Sequence, residues 1–256
     1  MFRGKEMREP DCRDFSDSLF QAVLIRGMKQ NPIIVALDVS GIDQALRLVD
    51  QLHDLAGAFK IGSELFTLGG PDIVRRIRDT GASVFLDLKF HDIPNTVAKA
   101  IASANQLDVQ MLTVHASGGL KMLLAAEEAA QGRQPNPPLV LAVTVLTSFD
   151  SNELAGIGVQ ANVGKQVERL ATLAISAKLR GLVCSPLEVV DLRSILPASF
   201  QLVTPGIRTG PSGDDQKRTL SAKEALQAGA NWLVIGRPIY AARDPRAAAD
   251  EILQSL

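Results

Sequence analysis

The chain has 256 residues, a net charge of −1 and two cysteines, Cys12 and Cys184. Hydrophobic residues make up 46% of it, which excludes intrinsic disorder over most of its length. The balanced charge excludes a global attraction to nucleic acid or to an anionic membrane. Two cysteines cannot form a disulfide framework, and they are typical of the reducing cytoplasm. The N-terminus lacks the pattern of a secretory signal and no apolar run could span a bilayer, so we expect a soluble protein.

Eight short apolar, β-branched segments recur from residue 33 onward, most of them starting roughly 25–30 residues apart, which is the length of one βα unit. Their apolar residues run continuously, as in strands that are buried on both faces. The predicted strands cover residues 33–38, 58–62, 83–88, 109–115, 139–145, 181–185, 200–205 and 232–236.

Amphipathic segments with apolar residues at helical spacing lie between several of these strands. Examples of these segments are residues 42–55, 71–79, 94–106, 120–131 and 163–178. Eight strand–helix pairs in about 225 residues favour one (β/α)8 TIM barrel, with its active site at the C-terminal ends of the strands. An open doubly wound sheet is the alternative. We predict a barrel domain over residues 31–256 and an N-terminal extension over residues 1–30.

Charged residues follow the first three predicted strands, at the end where such a barrel has its active site. Asp38 ends the first strand, Lys60 lies in the second, and the third runs into Asp87, Lys89 and Asp92. Isolated buried charges are costly, so these groups are expected to pair with one another or with a ligand. For any single pair, a purely structural ion pair is the alternative. A lysine flanked by carboxylates keeps its proton, so Lys89 is predicted to be a general acid.

Glycine and arginine follow the seventh and eighth predicted strands, where barrels commonly bind phosphate. Gly206 and Gly236 permit close approach of the backbone, and Arg208 and Arg237 provide forked donors for phosphate oxygens. The polar, glycine-rich segment 208–218 is predicted to be a lid that closes over the phosphate. A mobile solvent loop is the alternative for this segment.

The runs that carry these residues together resemble the orotidine 5′-phosphate decarboxylase family over about residues 30–256. Besides Asp38, they are FKIG (59–62), FLDLKFHDIPNT (85–96), VHASGG (114–119), VTVLTS (143–148), TPGIR (204–208) and IGRPI (235–239). Within them, the element Asp-x-Lys-x-x-Asp-Ile-Pro-Asn-Thr (87–96) is highly specific. The resemblance implies decarboxylation of orotidine 5′-phosphate to UMP and CO2 in de novo pyrimidine biosynthesis, without a metal or an organic cofactor.

The resemblance also implies roles for the charged residues. Lys89 would protonate C6 of the pyrimidine as the carboxylate leaves. Asp87 would lie against the departing carboxylate, and Asp92 would hold the far side of Lys89. Lys60 and Asp38 would bind the ribose hydroxyls.

Further residues of the implied site bind the base and the phosphate. Thr147 and Ser148 would contact the pyrimidine, and Gln216 would bridge the lid, the base and the phosphate. Arg237 would hold the phosphate together with the amide of Gly236. The remaining members of the implied binding set are Thr96, Pro205 and Arg208.

The resemblance further implies a homodimer with shared active sites, because Asp92 and Thr96 enter the neighbouring subunit's site in this family. No nucleic acid or membrane is implied as a partner. The first alternative is a metal-dependent sugar-phosphate decarboxylase or synthase of the same superfamily; those enzymes need Mg²⁺ and carry a glutamate where this chain has Lys60. The second is a non-catalytic nucleotide-phosphate sensor, which would have no use for Lys89 between two carboxylates.

Overall fold

Eight parallel strands close into a barrel in the structure, a computed structural model that describes residues 31–132, 135–208 and 219–256. The strands pair in chain order, and β1 also pairs with β8, so the sheet has no edge. They are β1 (Ile33–Ala36), β2 (Ala58–Gly62), β3 (Val84–Phe90), β4 (Met111–His115), β5 (Leu139–Val143), β6 (Gly181–Val183), β7 (Gln201–Thr204) and β8 (Trp232–Ile235). The predicted barrel is therefore confirmed, and the open sheet is excluded. The predicted extension, residues 1–30, lies outside the described residues.

Helices follow the strands and cover the outside of the barrel. They are α1 (Ile42–Leu52), α2 (Ser63–Asp79), α3 (Pro94–Asn105), α4 (Leu120–Gln131), α5 (Ser151–Gly156), α6 (Val163–Ser176), α7 (Val189–Ile195), α8 (Ala222–Gln227), α9 (Arg237–Tyr240) and α10 (Pro245–Gln254). The predicted helix over residues 71–79 forms the second part of α2, which starts at Pro71 after the non-helical backbone of Gly70; the prediction lacked the first part, which begins at Ser63. In the described ranges, no helix combines the length and apolar character needed to cross a bilayer.

The predicted strands extend too far toward the rim in several places. β1 ends at Ala36 rather than at residue 38, and β5 ends at Val143 rather than at residue 145. Apolar or β-branched residues continue past the last paired residue, Leu37 after β1 and Thr144 and Val145 after β5, so composition alone overestimates the length of these strands. β3, in contrast, extends past its predicted end at residue 88 and continues to Phe90. Asp38 is therefore on a loop, whereas Asp87 and Lys89 lie within a strand.

Side chains that point into the barrel form a core of their own, separate from the larger core between the sheet and the helices. The inner core contains Ile34, Ala36, Ala58, Phe85, Met111, Leu139, Leu141, Val203 and Val234. Successive side chains of a strand alternate between its two faces. The next inward positions toward the rim, on or directly after the first four strands, are therefore occupied by Asp38, Lys60, Asp87 and Thr113. The fold thus stacks a polar layer directly on an apolar one.

We predict that Phe85→Ala destabilises the barrel by about 3–5 kcal/mol, because it removes a buried aromatic ring and leaves a cavity in the inner core. Phe85 is 1% exposed. Thermal melting should show the loss as a Tm lower by roughly 2–4 °C for each kcal/mol. The matched control is Leu187→Ala at a side chain that is 51% exposed, where we expect a change within about 0.5 kcal/mol. Equal effects of the two substitutions would contradict the assignment of an inner core.

Candidate active site

Four charged side chains form a continuous chain of alternating sign at the rim. The Lys60 Nζ atom lies 2.8 Å from Asp38 Oδ1 and 3.7 Å from Asp87 Oδ2. The Lys89 Nζ atom lies 2.9 Å from Asp87 Oδ1. The structure thus brings together four of the five charged residues that the sequence indicates. We call Asp38, Lys60, Asp87 and Lys89 the charge chain.

The middle of the charge chain is buried and its ends are open. The side chains of Lys60 and Asp87 are 10% and 12% exposed, whereas those of Lys89 and Asp38 are 35% and 49% exposed. Buried charges need close partners of opposite sign to offset their loss of hydration. Lys60 has a carboxylate on each side, and Asp87 has an ammonium group on each side. The two exposed ends are the positions that a bound ligand can reach.

Asp87 is held in its ionised form. Burial by itself would raise the pKa of its carboxyl, but the positive charges of Lys60 and Lys89 outweigh that effect and lower the pKa below its ordinary value. Hydrogen bonds from Lys89 Nζ and from the Thr113 hydroxyl act in the same direction. A negative charge therefore stays next to Lys89 at neutral pH.

A bulge in β3 presents Lys89 at the rim. Leu86 pairs with Leu112 and Phe90 pairs with Val114, so four steps along β3 correspond to two steps along β4. Lys89 lies within this bulge with a φ of 51°, a left-handed conformation that is uncommon for residues other than glycine. The bulge turns its side chain back toward Asp87.

Asp92 and Thr96 lie outside the charge chain. Both are exposed, and Asp92 Oδ1 accepts a hydrogen bond of 2.6 Å from the backbone N–H of Ile93. Within the described part of the chain, no ion pair joins Asp92 to Lys89. Ile93, between them in sequence, is 66% exposed although it is large and apolar.

The predicted phosphate loops lie beside the open end of the charge chain at Asp38. Gly206 has a φ of 82°, a conformation that favours glycine. A Cβ atom at Gly236 would lie 3.3 Å from Tyr240 Cε1 and 3.8 Å from Asp38 Oδ2, so the end of β8 approaches Asp38 closely. The Arg208 Nη1 group donates to the carbonyl of Ile207 at 2.8 Å.

Tyr240 shows that the two parts of the site share one electrostatic environment. Burial raises the pKa of its hydroxyl, and so does the negative charge of Asp38, while the positive charges of Arg237, Lys60 and Arg208 oppose the shift. The predicted phosphate loops, with Arg208 and Arg237, and the charge chain therefore both lie close enough to Tyr240 to act on its hydroxyl. The sequence reasoning did not select Tyr240.

The remaining predicted residues lie at other points of the rim or outside the described residues. Thr147 and Ser148 follow β5, and Pro205 follows β7. Thr147 and Pro205 are partly buried, and Ser148 is exposed. Gln216 and most of the predicted lid lie outside the described residues.

A histidine pair and a threonine, none of them among the predicted site residues, lie beside the charge chain. The rings of His91 and His115 are 5.4 Å apart and tilted by 46°. Burial lowers the pKa of His115, and the nearby charges of His91 and Lys89 add to this effect. Thr113 is completely buried and bonded to Asp87. The sequence indicates Thr113 only through its position: it is a polar residue at an inward-facing position of β4, two residues after Met111.

Comparisons with known proteins agree with the sequence motifs. The family described as "Orotidine 5'-phosphate decarboxylase / HUMPS family" matches residues 31–252. The orotidine 5′-phosphate decarboxylase of Saccharophagus degradans is 50% identical over 221 residues, which cover 86% of this chain and 92% of that protein. The protein of the same name from Photobacterium profundum is 49% identical over 225 residues, or 88% of this chain and 97% of that protein.

A solved structure shows the same architecture. The crystal structure of orotidine 5′-phosphate decarboxylase from Lactobacillus acidophilus superimposes with a TM-score of 0.78 at 36% identity. The superposition covers 88% of this chain and 98% of that one. The similarity therefore extends over nearly all of the barrel.

We predict that Asp87→Asn lowers the free energy of unfolding at pH 7 by on the order of 3 kcal/mol, because two lysines lose a shared carboxylate. Folding lowers the pKa of Asp87 from its ordinary value of 3.8. Its stabilising contribution is therefore complete above pH 3.8 and is lost as the pH falls from there through the folded-state value. Urea titrations between pH 7 and pH 3 measure the free energy of unfolding. The difference in this free energy between variant and wild type should shrink as the pH falls below 3.8.

The control for this experiment is Asp72→Asn on the exposed face of α2, for which we expect a difference within about 0.5 kcal/mol at every pH. A difference for Asp87→Asn that persists unchanged, or increases, below pH 3.8 would contradict the role assigned to the ionised carboxylate.

Proposed function

Because this chain belongs to the orotidine 5′-phosphate decarboxylase / HUMPS family, we propose that it converts orotidine 5′-phosphate to UMP and CO2 in pyrimidine biosynthesis. The observation that carries the proposal is the charge chain, which ends in a partly exposed ammonium group held by an ionised aspartate. We assign the reaction to the cytoplasm, since substrate and product are charged nucleotides.

The chemistry requires positive charge beside one ring carbon. When the bond between C6 and the carboxylate breaks, CO2 leaves and the electron pair stays on C6. The ring offers no electron sink for that pair, so a fixed charge must stabilise it. The Lys89 ammonium supplies this charge and then transfers its proton to C6. Water returns a proton to the Lys89 amine after the product leaves.

The rest of the charge chain keeps Lys89 in place before the substrate arrives. Asp87 lies 2.9 Å from the Lys89 Nζ atom and is itself fixed by Lys60 on its other side. Groups that are already oriented need no reorganisation during the reaction, which is the main electrostatic advantage of an enzyme over water. We assign the ribose hydroxyls to Asp38, at the other exposed end, and to Lys60, whose ammonium lies next to it.

The phosphate supplies binding energy at a distance from the reacting carbon. We assign its oxygens to Arg237, Arg208 and the backbone at Gly236, beside Asp38. Binding energy from a remote group can orient the ring and close the site, and so raise the rate. Thr147 and Ser148 after β5, together with Pro205 after β7, are assigned to the pyrimidine side, and Gln216 to the lid.

The position of Lys60 favours this reaction over the metal-dependent ones of the superfamily. Its ammonium lies 2.8 Å from Asp38 and 3.7 Å from Asp87. It therefore occupies the space between the two carboxylates that a divalent cation would need, and its charge would repel that cation. The donor set at the rim thus suits a reaction that proceeds without Mg²⁺.

We further propose a homodimer in which Asp92 and Thr96 complete the partner's site. In their own subunit both are exposed, and Asp92 makes no ion pair with Lys89 within the described residues. The exposed Ile93 between them would be covered by such an interface. In a twofold dimer the same patch serves both subunits, so two equivalent shared sites would form.

The first test is turnover of orotidine 5′-phosphate in the presence of EDTA, followed by loss of the orotate absorbance. We expect full activity in EDTA and a loss of at least about 10⁴-fold in Lys89→Ala, which lacks both the proton donor and the positive charge. The variant should still bind UMP, because its phosphate loops are unchanged.

The matched control is Lys165→Ala, at an exposed lysine in the first turn of α6, which should retain wild-type turnover. Activity that disappears with EDTA and returns with Mg²⁺ would assign the protein to the sugar-phosphate branch. A Lys89→Ala enzyme within tenfold of wild type would refute the role of Lys89.

The shared site is tested with hybrid dimers of Lys89→Ala and Asp92→Ala chains. Each homodimer should be inactive, whereas in a hybrid one site receives both defects and the other is intact. Random mixing makes about half of the dimers hybrid, and each hybrid dimer has one intact site and one defective site. Activity should therefore recover to roughly a quarter of wild type.

The two variants are unfolded, mixed and refolded, with wild type carried through the same steps as the reference. Absence of recovery, with hybrid dimers verified by mass, would mean that Asp92 acts within its own subunit.

A further inference from the structure

Thr113 lies opposite the β3 bulge, at the centre of the hydrogen bonds that shape it. On β4 it stands between Leu112 and Val114, the two residues that pair with β3 on either side of the bulge. Its side chain is completely buried. Two extra residues of β3 must fit at this point, so local ladder hydrogen bonds are missing and a side chain has to replace them.

The Thr113 hydroxyl makes two hydrogen bonds whose directions are fixed by chemistry. Its oxygen accepts from the backbone N–H of Lys89 at 2.8 Å, and it lies 3.0 Å from Asp87 Oδ1. A backbone N–H can only donate and an ionised carboxylate can only accept. The single hydroxyl proton of Thr113 is therefore directed at Asp87.

These bonds close a ring through the reacting lysine. Asp87 Oδ1 accepts from the Thr113 hydroxyl and also from Lys89 Nζ, at 2.9 Å. One hydroxyl thus connects the backbone of Lys89 to the carboxylate that holds the end of its side chain. A left-handed residue other than glycine persists only where its surroundings hold it, and this ring supplies such a restraint.

We propose that Thr113 is a positioning residue, whose hydroxyl holds Lys89 in its left-handed conformation and orients Asp87 toward the Lys89 ammonium. The inference rests on the proposed function, because it assigns Thr113 a role in placing the proton donor of that reaction. Threonine suits the position better than serine, since its β-branch restricts the rotation that sets the hydroxyl direction.

The test compares Thr113→Val, which replaces the hydroxyl with a methyl group of similar size, with Thr113→Ser, which keeps it. For Thr113→Val we expect kcat to fall about 10–100-fold, because small displacements of a reacting group have effects of this size. KM and the affinity for UMP should stay within about threefold, since the phosphate loops are unchanged. Thr113→Ser should recover most of the lost kcat.

A second measurement does not depend on turnover. NMR titration of ¹³C-labelled aspartate should show a higher pKa for Asp87 in Thr113→Val than in wild type, because one of the hydrogen bonds that lower it is gone. A purely structural role would reduce Tm without moving this pKa. The matched control is Thr204→Val on β7, equally buried, whose hydroxyl bonds to the carbonyl of Trp232; it should change neither kcat nor the pKa of Asp87.

If Thr113→Val does not fold, Thr113→Ser and Thr113→Ala provide the same comparison, because they differ only in the hydroxyl. Wild-type kcat and an unchanged Asp87 pKa in the variants without the hydroxyl would overturn the proposal, as would equal losses of kcat in Thr113→Ser and Thr113→Val. A wild-type protein that does not decarboxylate orotidine 5′-phosphate would refute the proposed function instead, and the Asp87 titration would still decide the role of Thr113.

Discussion

The pairing of Asp87 with two lysines is the interaction on which the rest of the site depends. Its carboxylate is almost buried, and burial alone would favour the neutral acid. The positive charges of Lys60 and Lys89, one on each side of the carboxyl, favour its ionised form instead. Each of the three charges would be costly without the others, so the residues act as one unit. The apolar layer directly beneath, with Phe85 and Met111, excludes water from the network and strengthens its interactions.

The closed barrel is what brings these charges together. Lys60 and Asp87 lie on β2 and β3, and Asp38 follows the end of β1; the parallel register places Lys60 beside Ala36 and Asp87 beside Gly62. A shift of one residue in either pairing would turn the inward side chains outward. The apolar cores on both faces make such a shift unfavourable, since it would turn Ile34, Ala58 or Phe85 out of the inner core and would turn Lys60 and Asp87 into the apolar core beneath the helices. Packing energy therefore defines the geometry of the polar layer.

Sequence reasoning could predict what depends on composition and periodicity. Eight apolar runs predicted the barrel, and charges at the ends of three of them predicted where Lys60, Asp87 and Lys89 would meet. It could not predict the β3 bulge or the left-handed Lys89, because both depend on the pairing of β3 with β4. Thr113 was missed for the same reason, since its role depends on its hydrogen bonds to Lys89 and Asp87 on the facing strand β3. Helices such as α5 and α8, of six residues each, are too short to show a periodic pattern.

The exposure of the charge chain indicates how a nucleotide would use it. Its centre, Lys60 and Asp87, is closed to solvent, whereas Asp38 and Lys89 are open at its two ends. The end of β8, with the predicted phosphate-binding backbone at Gly236, adjoins the Asp38 end. In the binding mode that we propose, a phosphate bound there places the ribose at Asp38 and the neighbouring Lys60, and the base at Lys89. The order phosphate, ribose, base along the ligand then matches the order of groups along the rim, so binding at one end sets the position of the reacting carbon at the other.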